Sequence, residues 1–104
     1  MISRQWRGTA RVERADEYVE HLRSETFPQL ARIAGFVDAT ILRRPVNGGV
    51  EFLVVTRWQS LDAIRRFAGA DAETAVVPEK VQRMMVDYER RVAHYEEIQS
   101  TGAP

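Results

Sequence analysis

Residues 51–69 read EFLVVTRWQSLDAIRRFAG, from Glu51 to Gly69, and the fold turns on this stretch. Its first half alternates as a strand does, with Phe52, Val54 and Trp58 at even positions and Leu53 and Val55 at odd ones. Successive strand side chains point to opposite faces, so both faces of this strand are apolar. An antiparallel strand normally shows one apolar and one polar face, and a strand apolar on both needs a cover on each. Ser60 then offers an N-cap, Asp62 sits in the first turn near the positive helix end, and Leu61, Ile64, Phe67 and Ala68 form an apolar stripe that Gly69 closes. A chain this short has too few helices to cover both faces. The expectation is therefore that its own helices cover one face and a second copy covers the other.

The 104 residues fit one domain, expected over residues 1–98 and followed by a small polar tail, 99–104, that frays. Fifteen basic residues balance fifteen acidic ones. That balance removes the electrostatic footprint of a protein held to phosphates or to an anionic membrane, so neither nucleic acid nor membrane is an expected partner. The pairs Arg43–Arg44, Arg65–Arg66 and Arg90–Arg91 lie near carboxylates such as Glu51, Asp62 and Glu89 and read as a salt-bridged surface. There is no cysteine, which excludes disulfides and thiolate chemistry. The start MISRQWRG lacks the apolar core of a signal peptide, and the expected location is the cytoplasm.

Outward from the decisive stretch, Ile2 to Val12 alternate as a first strand, with Ile2, Trp6, Ala10 and Val12 on one face and Ser3, Gln5, Arg7, Thr9 and Arg11 on the other. From Arg14 the period becomes helical through Ala15, Tyr18, Val19, Leu22, Leu30 and Ile33. Pro28 predicts a kink or restart in this helix, and Gly35 ends it. Phe36 to Arg44 reads as a second strand, joined to the third by a hairpin turn over Pro45, Asn47, Gly48 and Gly49. Glu79 to Asp87 places Val81, Met84, Met85 and Tyr88 at helical spacing, and Glu89 to Ile98 alternates as a last strand carrying Val92, His94, Glu96 and Ile98 on one side.

The order strand, helix, strand, strand, helix, strand matches a ferredoxin-like α+β fold, βαββαβ, with a four-stranded antiparallel sheet and helices on one face. The helix-free face would then expose some of Phe52, Val54, Trp58, Ile41 and Val92. Burying each of the larger ones is worth about 1.5–3 kcal/mol, so a homodimer pairing the two sheets is expected.

The segments AGFVDATILRR (Ala34 to Arg44), VVTRWQSLDAIRRFAG (Val54 to Gly69), AVVPE (Ala75 to Glu79) and VAHYEEI (Val92 to Ile98) together resemble the antibiotic biosynthesis monooxygenase family of dimeric α+β barrels. The resemblance spans nearly the whole chain. It implies a dimer whose subunits each hold a cavity between sheet and helices. One branch of that family oxidises polycyclic phenols such as anthrones with molecular oxygen and neither metal nor flavin. Another binds and degrades heme, using an asparagine near the start, a tryptophan on the second helix and a histidine just after it. Here the first strand offers Arg4, Gln5 and Trp6, the helix position carries Phe67, and residues 72–79 contain no histidine, so heme degradation is not expected.

Cofactor-free oxygenation needs a base, a donor for the resulting oxyanion and a dry apolar pocket. His94 is the candidate base, the competing reading being a hydrogen-bonded sheet residue at the dimer seam. Arg43 or Arg4 would neutralise the anion, and Trp6, Phe67 and Tyr95 would line a slot for a planar aromatic substrate, with Trp58 a further aromatic candidate. Most such aromatics are ordinarily core. His21 neighbours Glu17 and Glu25 at one-turn spacing, a pattern more often solvated than metal-binding. No Walker loop, dinucleotide fingerprint or serine elbow is present. Two functions follow: a cofactor-independent monooxygenase acting on an electron-rich aromatic or polyketide-like compound, without cofactor or metal, or a non-catalytic dimeric module that binds a small ligand or supports another protein.

Overall fold

A computed structural model describes all 104 residues. The hairpin that the sequence marks so clearly forms the backbone of the sheet. Strand β2 (Phe36–Val46) pairs antiparallel with β3 (Gly49–Trp58) along its length. Gly48 in the turn between them has φ +88°, a conformation that costs glycine nothing. Pro45 belongs to β2 itself, opposite Val50, where an edge strand tolerates a residue without an amide hydrogen. Strand β1 (Ile2–Ala10) pairs with the other side of β3, giving the order β2-β3-β1 with the last strands of the chain in fourth place, as expected of a ferredoxin-like sheet.

The fourth position in that order holds two strands. Strand β4 (Met85–Tyr88) pairs with Gly8 to Ala10, while β5 (Ala93–Glu96) pairs with Ile2 to Gln5. The expected helix over Glu79–Asp87 is only α4 (Glu79–Gln82), and Met85 onward is strand. Between β4 and β5, Glu89 still donates to Arg7 O, but residues 90–92 leave β1 and pair instead with the chain near Thr74, through Val92 N to Glu73 O and Ala75 N to Arg90 O, both 2.9 Å. The single alternating strand over Glu89–Ile98 is thus interrupted, because these backbone groups find partners in the 71–75 segment.

The first helical region starts with a 3₁₀ turn (Val12–Arg14), so β1 ends at Ala10. It continues as α1 (Ala15–His21), widens to a π turn (Leu22–Thr26) and closes as α2 (Phe27–Leu30). The kink expected at Pro28 takes this form: the Phe27 amide donates to Leu22 O, five residues back, and the wider turn receives the proline ring without the clash it would make in an α-helix. Helix α3 (Leu61–Ala68) is capped as its sequence predicts, with Ser60 Oγ accepting from Ala63 N at 3.1 Å and Gly69 closing the far end at φ +92°. Gly35 lets β2 start against α3: a Cβ there would stand 2.4 Å from the Ala63 Cβ.

Even-numbered residues of β1 and β3 face the helices. Phe52, Trp58 and Ala10 are wholly buried, and the core forms two clusters, one around Tyr18, Phe52 and Met84, the other around Leu30, Trp58 and Ile64. Phe52, Val54, Trp58, Ile41 and Val92, some of them expected on the uncovered face, therefore all lie on or packed against the covered side. The open face instead carries Leu53, Val55, Leu42 and Tyr95 with the ion pairs Arg57–Asp38, Arg57–Glu97 and Arg44–Glu51. No helix is long and apolar enough to cross a membrane.

Candidate functional site

The two core clusters do not close on each other completely. A cavity of about 70 Å3 lies where they meet, walled by Arg4, Trp6, Tyr18, Thr26, Phe67 and Val76 among others, and an adjoining lobe of about 40 Å3 shares Trp6, Tyr18, Leu22, Thr26 and Val76 with it. Gly8 shapes the wall. A Cβ on it would stand 2.4 Å from the Trp6 ring, so only glycine lets that ring lie over the strand, and the indole nitrogen donates to Glu89 O at 2.8 Å.

Arg4 is the polar centre of this wall. It is 5% exposed, and its guanidinium donates to the carbonyls of Ala72 and Thr74, to His94 Nε2 at 3.0 Å, and lies 5.7 Å from the Phe67 ring centre. No carboxylate forms an ion pair with it. Burial of the charge lowers its pKa to about 10, still protonated at neutral pH. The two carbonyls come from the segment that the interrupted fourth strand brings in, and Arg91 fixes that segment from outside by pairing with Asp71 and Glu73.

His94 stands across from Arg4 in the β1–β5 register. An arginine is always a donor, so Nε2 of His94 accepts and the ring proton of the neutral form sits on Nδ1. Burial, with the Arg4 charge as a second cause, lowers its pKa, partly opposed by Glu73. The ring is thus neutral at pH 7, with its one lone pair turned to Arg4, and it is not among the residues walling the cavity. That geometry is awkward for a base and natural for a residue that holds Arg4.

The remaining candidates separate cleanly. Trp6 and Phe67 wall the cavity. Trp58 is core, 0% exposed, its indole nitrogen satisfied by Thr56 Oγ1 at 2.9 Å. Tyr95 stands on the open sheet face beside Ser3 and is 57% exposed, and Arg43 lies on the outside, paired with Asp16 at 2.8 Å. Neither reaches the cavity, Tyr95 because its odd register turns it away and Arg43 because β2 is the far edge strand. Arg4 is the arginine of the two that the fold brings inside.

Tyr18 and Thr26 were not among the sequence candidates, yet both wall both lobes. His21 also differs from expectation. It is buried, with Nδ1 3.1 Å from Glu25 Oε2 and Nε2 3.1 Å from Thr26 Oγ1. Lys80 also reaches Glu25, at 2.7 Å, and the fold gathers no group of three or more His, Cys, Asp or Glu side chains that could hold a metal ion.

The fold occurs in solved structures along nearly their whole length. The monooxygenase from ActVA-Orf6 of Streptomyces coelicolor, in complex with nanaomycin D, superposes with a TM-score of 0.70 at 16% identity over 99% of this chain and 92% of that one. SnoaB, a cofactor-independent oxygenase from Streptomyces nogalater, gives 0.62 at 19% identity over 95% and 94%. MhuD from Mycobacterium tuberculosis, a heme degrader with two hemes bound in its active site, gives 0.60 at 20% identity over 98% and 100%. No curated protein matches the chain. The sequence profile of antibiotic biosynthesis monooxygenases matches residues 1–79, and the chain belongs to that family.

Proposed function

We propose that this protein is a cofactor-independent monooxygenase that oxidises an electron-rich aromatic or polyketide-like phenol with molecular oxygen, working as a cytoplasmic homodimer. The observation that carries the reading is Arg4, a guanidinium buried at a cavity wall with no carboxylate to balance it. A buried charge is costly unless paired, and an anionic guest would supply the missing partner. Arg4 then favours the ionised form of a bound phenol and stabilises the enolate as it reacts. His94 and the carbonyls of Ala72 and Thr74 hold Arg4 in place, and Trp6 and Phe67 flank the ring.

In this reaction the substrate supplies the electrons. An anthrone-type CH₂ loses a proton to solvent, the carbanion adds O₂, the peroxide anion takes a proton back to form a hydroperoxide, and loss of water leaves a carbonyl. One oxygen atom enters the product and the other leaves as water. The protein need only bind, orient, exclude bulk water and stabilise the anion.

The cavity is smaller than the roughly 300 Å3 of ordinary ligand pockets, so a ring system enters only as the wall yields. Val76, 43% exposed, belongs to the irregular stretch of that wall before α4. The same small volume favours a second reading, a non-catalytic dimeric module that binds a smaller apolar guest. Oxygen uptake with a panel of anthrones and hydroquinones separates the two: the monooxygenase consumes oxygen in proportion to quinone formed, and the module binds without consumption. The dimer forms through the open sheet face, where Leu42, half exposed, lies opposite Leu53 in the register. Light scattering at micromolar concentration reads twice the monomer mass if this is right and the monomer mass if it is wrong.

A further inference from the structure

We propose that Glu25, His21 and Thr26 form a proton relay that enters the smaller lobe of the cavity and takes the proton of an ionisable phenol bound there. This rests on the phenol-oxidising reading above. The π turn makes the arrangement possible, since it brings the side chain of Thr26 onto His21 five residues earlier, whereas an α-helix aligns residues three or four apart. His21 is 7% exposed and stacks on Tyr18. Its Nδ1 faces the Glu25 carboxylate and so carries a hydrogen; in the neutral ring Nε2 is then the acceptor for the Thr26 hydroxyl, the disposition in which a carboxylate fixes the tautomer of a base. Glu25 is about half exposed, which gives the relay an end in solvent.

A second observation points into the same lobe. The Tyr18 side chain is 3% exposed and walls both lobes; its hydroxyl makes no hydrogen bond within the protein, and since no fully buried polar atom is left unpartnered, it opens onto the cavity. Burial pushes its pKa up, so it stays a neutral donor. A ligand oxygen between Tyr18 and Thr26 would satisfy it. His94 cannot serve here, because its lone pair is taken by Arg4.

The step balances without redox. The phenol O–H breaks, its proton goes to Thr26 Oγ1 as the hydrogen of Thr26 passes to His21 Nε2, and the electron pair stays on the ligand oxygen, which accepts from Tyr18. His21 becomes imidazolium with Nδ1–H against the Glu25 carboxylate. Conjugation through the rings carries the negative charge to a second oxygen at Arg4. The groups packed on His21 are Glu25, which Lys80 from α4 also reaches, the Thr26 hydroxyl, and the Tyr18 ring stacked on it, while the Glu17 carboxylate one turn earlier is held by Arg14.

The test is nitrogen NMR of the His21 ring in the whole protein, with 1,8-dihydroxyanthrone added under nitrogen gas and its ionisation followed by absorbance. Free protein at neutral pH should show His21 as the Nδ1–H tautomer, and ligand binding should move both ring nitrogens to imidazolium values as the ligand becomes anionic. Thr26→Val should still bind the ligand, leave His21 neutral and raise the pH midpoint of ligand ionisation by about one unit, tenfold in proton affinity, while Thr26→Ser should retain the wild-type midpoint. Ligand that ionises on binding while His21 stays neutral in the wild type overturns the relay and spares the phenol reading. Ligand that does not bind at all overturns both.

Discussion

Arg4 and Arg57 stand one register step apart on neighbouring strands, Arg4 opposite Thr56 and Arg57 opposite Ser3, on opposite faces of one sheet. Arg57, on the open face, meets two carboxylates: Glu97 through two hydrogen bonds of 2.9 and 3.0 Å, and Asp38 at 2.7 Å. Hydrogen bonding to Glu97, and then the charge of Asp38, hold its pKa above the ordinary value. Arg4, on the covered face, meets only carbonyls and a neutral imidazole, and burial pulls its pKa down to about 10. The same side chain is balanced where water already lowers the cost of charge and unbalanced where it does not. Such an inversion is what an anion-binding site requires and what structural stability alone disfavours.

The sharpest way to break the comparison is Arg4→Met. Oxygen uptake should fall about 10²- to 10³-fold, the scale for losing one anion-stabilising donor, while the urea midpoint stays level or rises because a buried unbalanced charge has gone. Full activity in that variant would remove Arg4 from the mechanism. In the wild type, affinity for a phenolate ligand should drop as pH rises through about 10, where Arg4 itself loses its proton.

Next in size, Leu53→Lys places a charge on the open face and should weaken the dimer about tenfold or more, on the scale of burying an unpaired polar group. An unchanged dimer by sedimentation would mean the subunits meet elsewhere. A smaller effect concerns His94. Its folded pKa is below the ordinary histidine value of about 6.5, so the unfolded chain takes up the proton first and stability is lost as pH falls below that value. His94→Gln should flatten that loss in denaturation curves measured from pH 7 downward, and a curve parallel to the wild type would contradict the assigned environment. The smallest effect is expected of Arg57→Ala, a shift in the urea midpoint near the error of measurement that disappears in high salt.

Much of the fold was legible because local chemistry and global packing agree. The hairpin glycines, Ser60, Gly69 and the apolar alternation of residues 52–58 each find the partner their type implies. Parity alone left open which face of β3 the helices cover, since both are apolar; that choice turns Tyr95 away from the cavity, while Trp58, on the covered face, is taken up by the second core cluster. The last strand departs from its sequence pattern at residues 90–92, where alternation persists but the backbone hydrogen bonds turn to residues 73–75, a non-local competition that no window of sequence contains. Arg4 was named for its charge, and its burial beside His94 depends on a pairing 90 residues apart in the chain. His21 meets Glu25 at the α-helical spacing its sequence offers, but the π turn adds Thr26 as a neighbour and the fold buries the ring, neither of which that spacing contains.

That turn also constrains how the protein can change. One residue of an α-helix advances the side chains by about 100°, so removing a residue from Leu22–Thr26 would restore a regular spiral and swing everything before it round by more than a quarter circle. Single-letter substitutions leave this offset intact, and only a deletion with compensating repacking erases it. Descendants of this chain should therefore keep the extra residue while their cavity walls diversify around it.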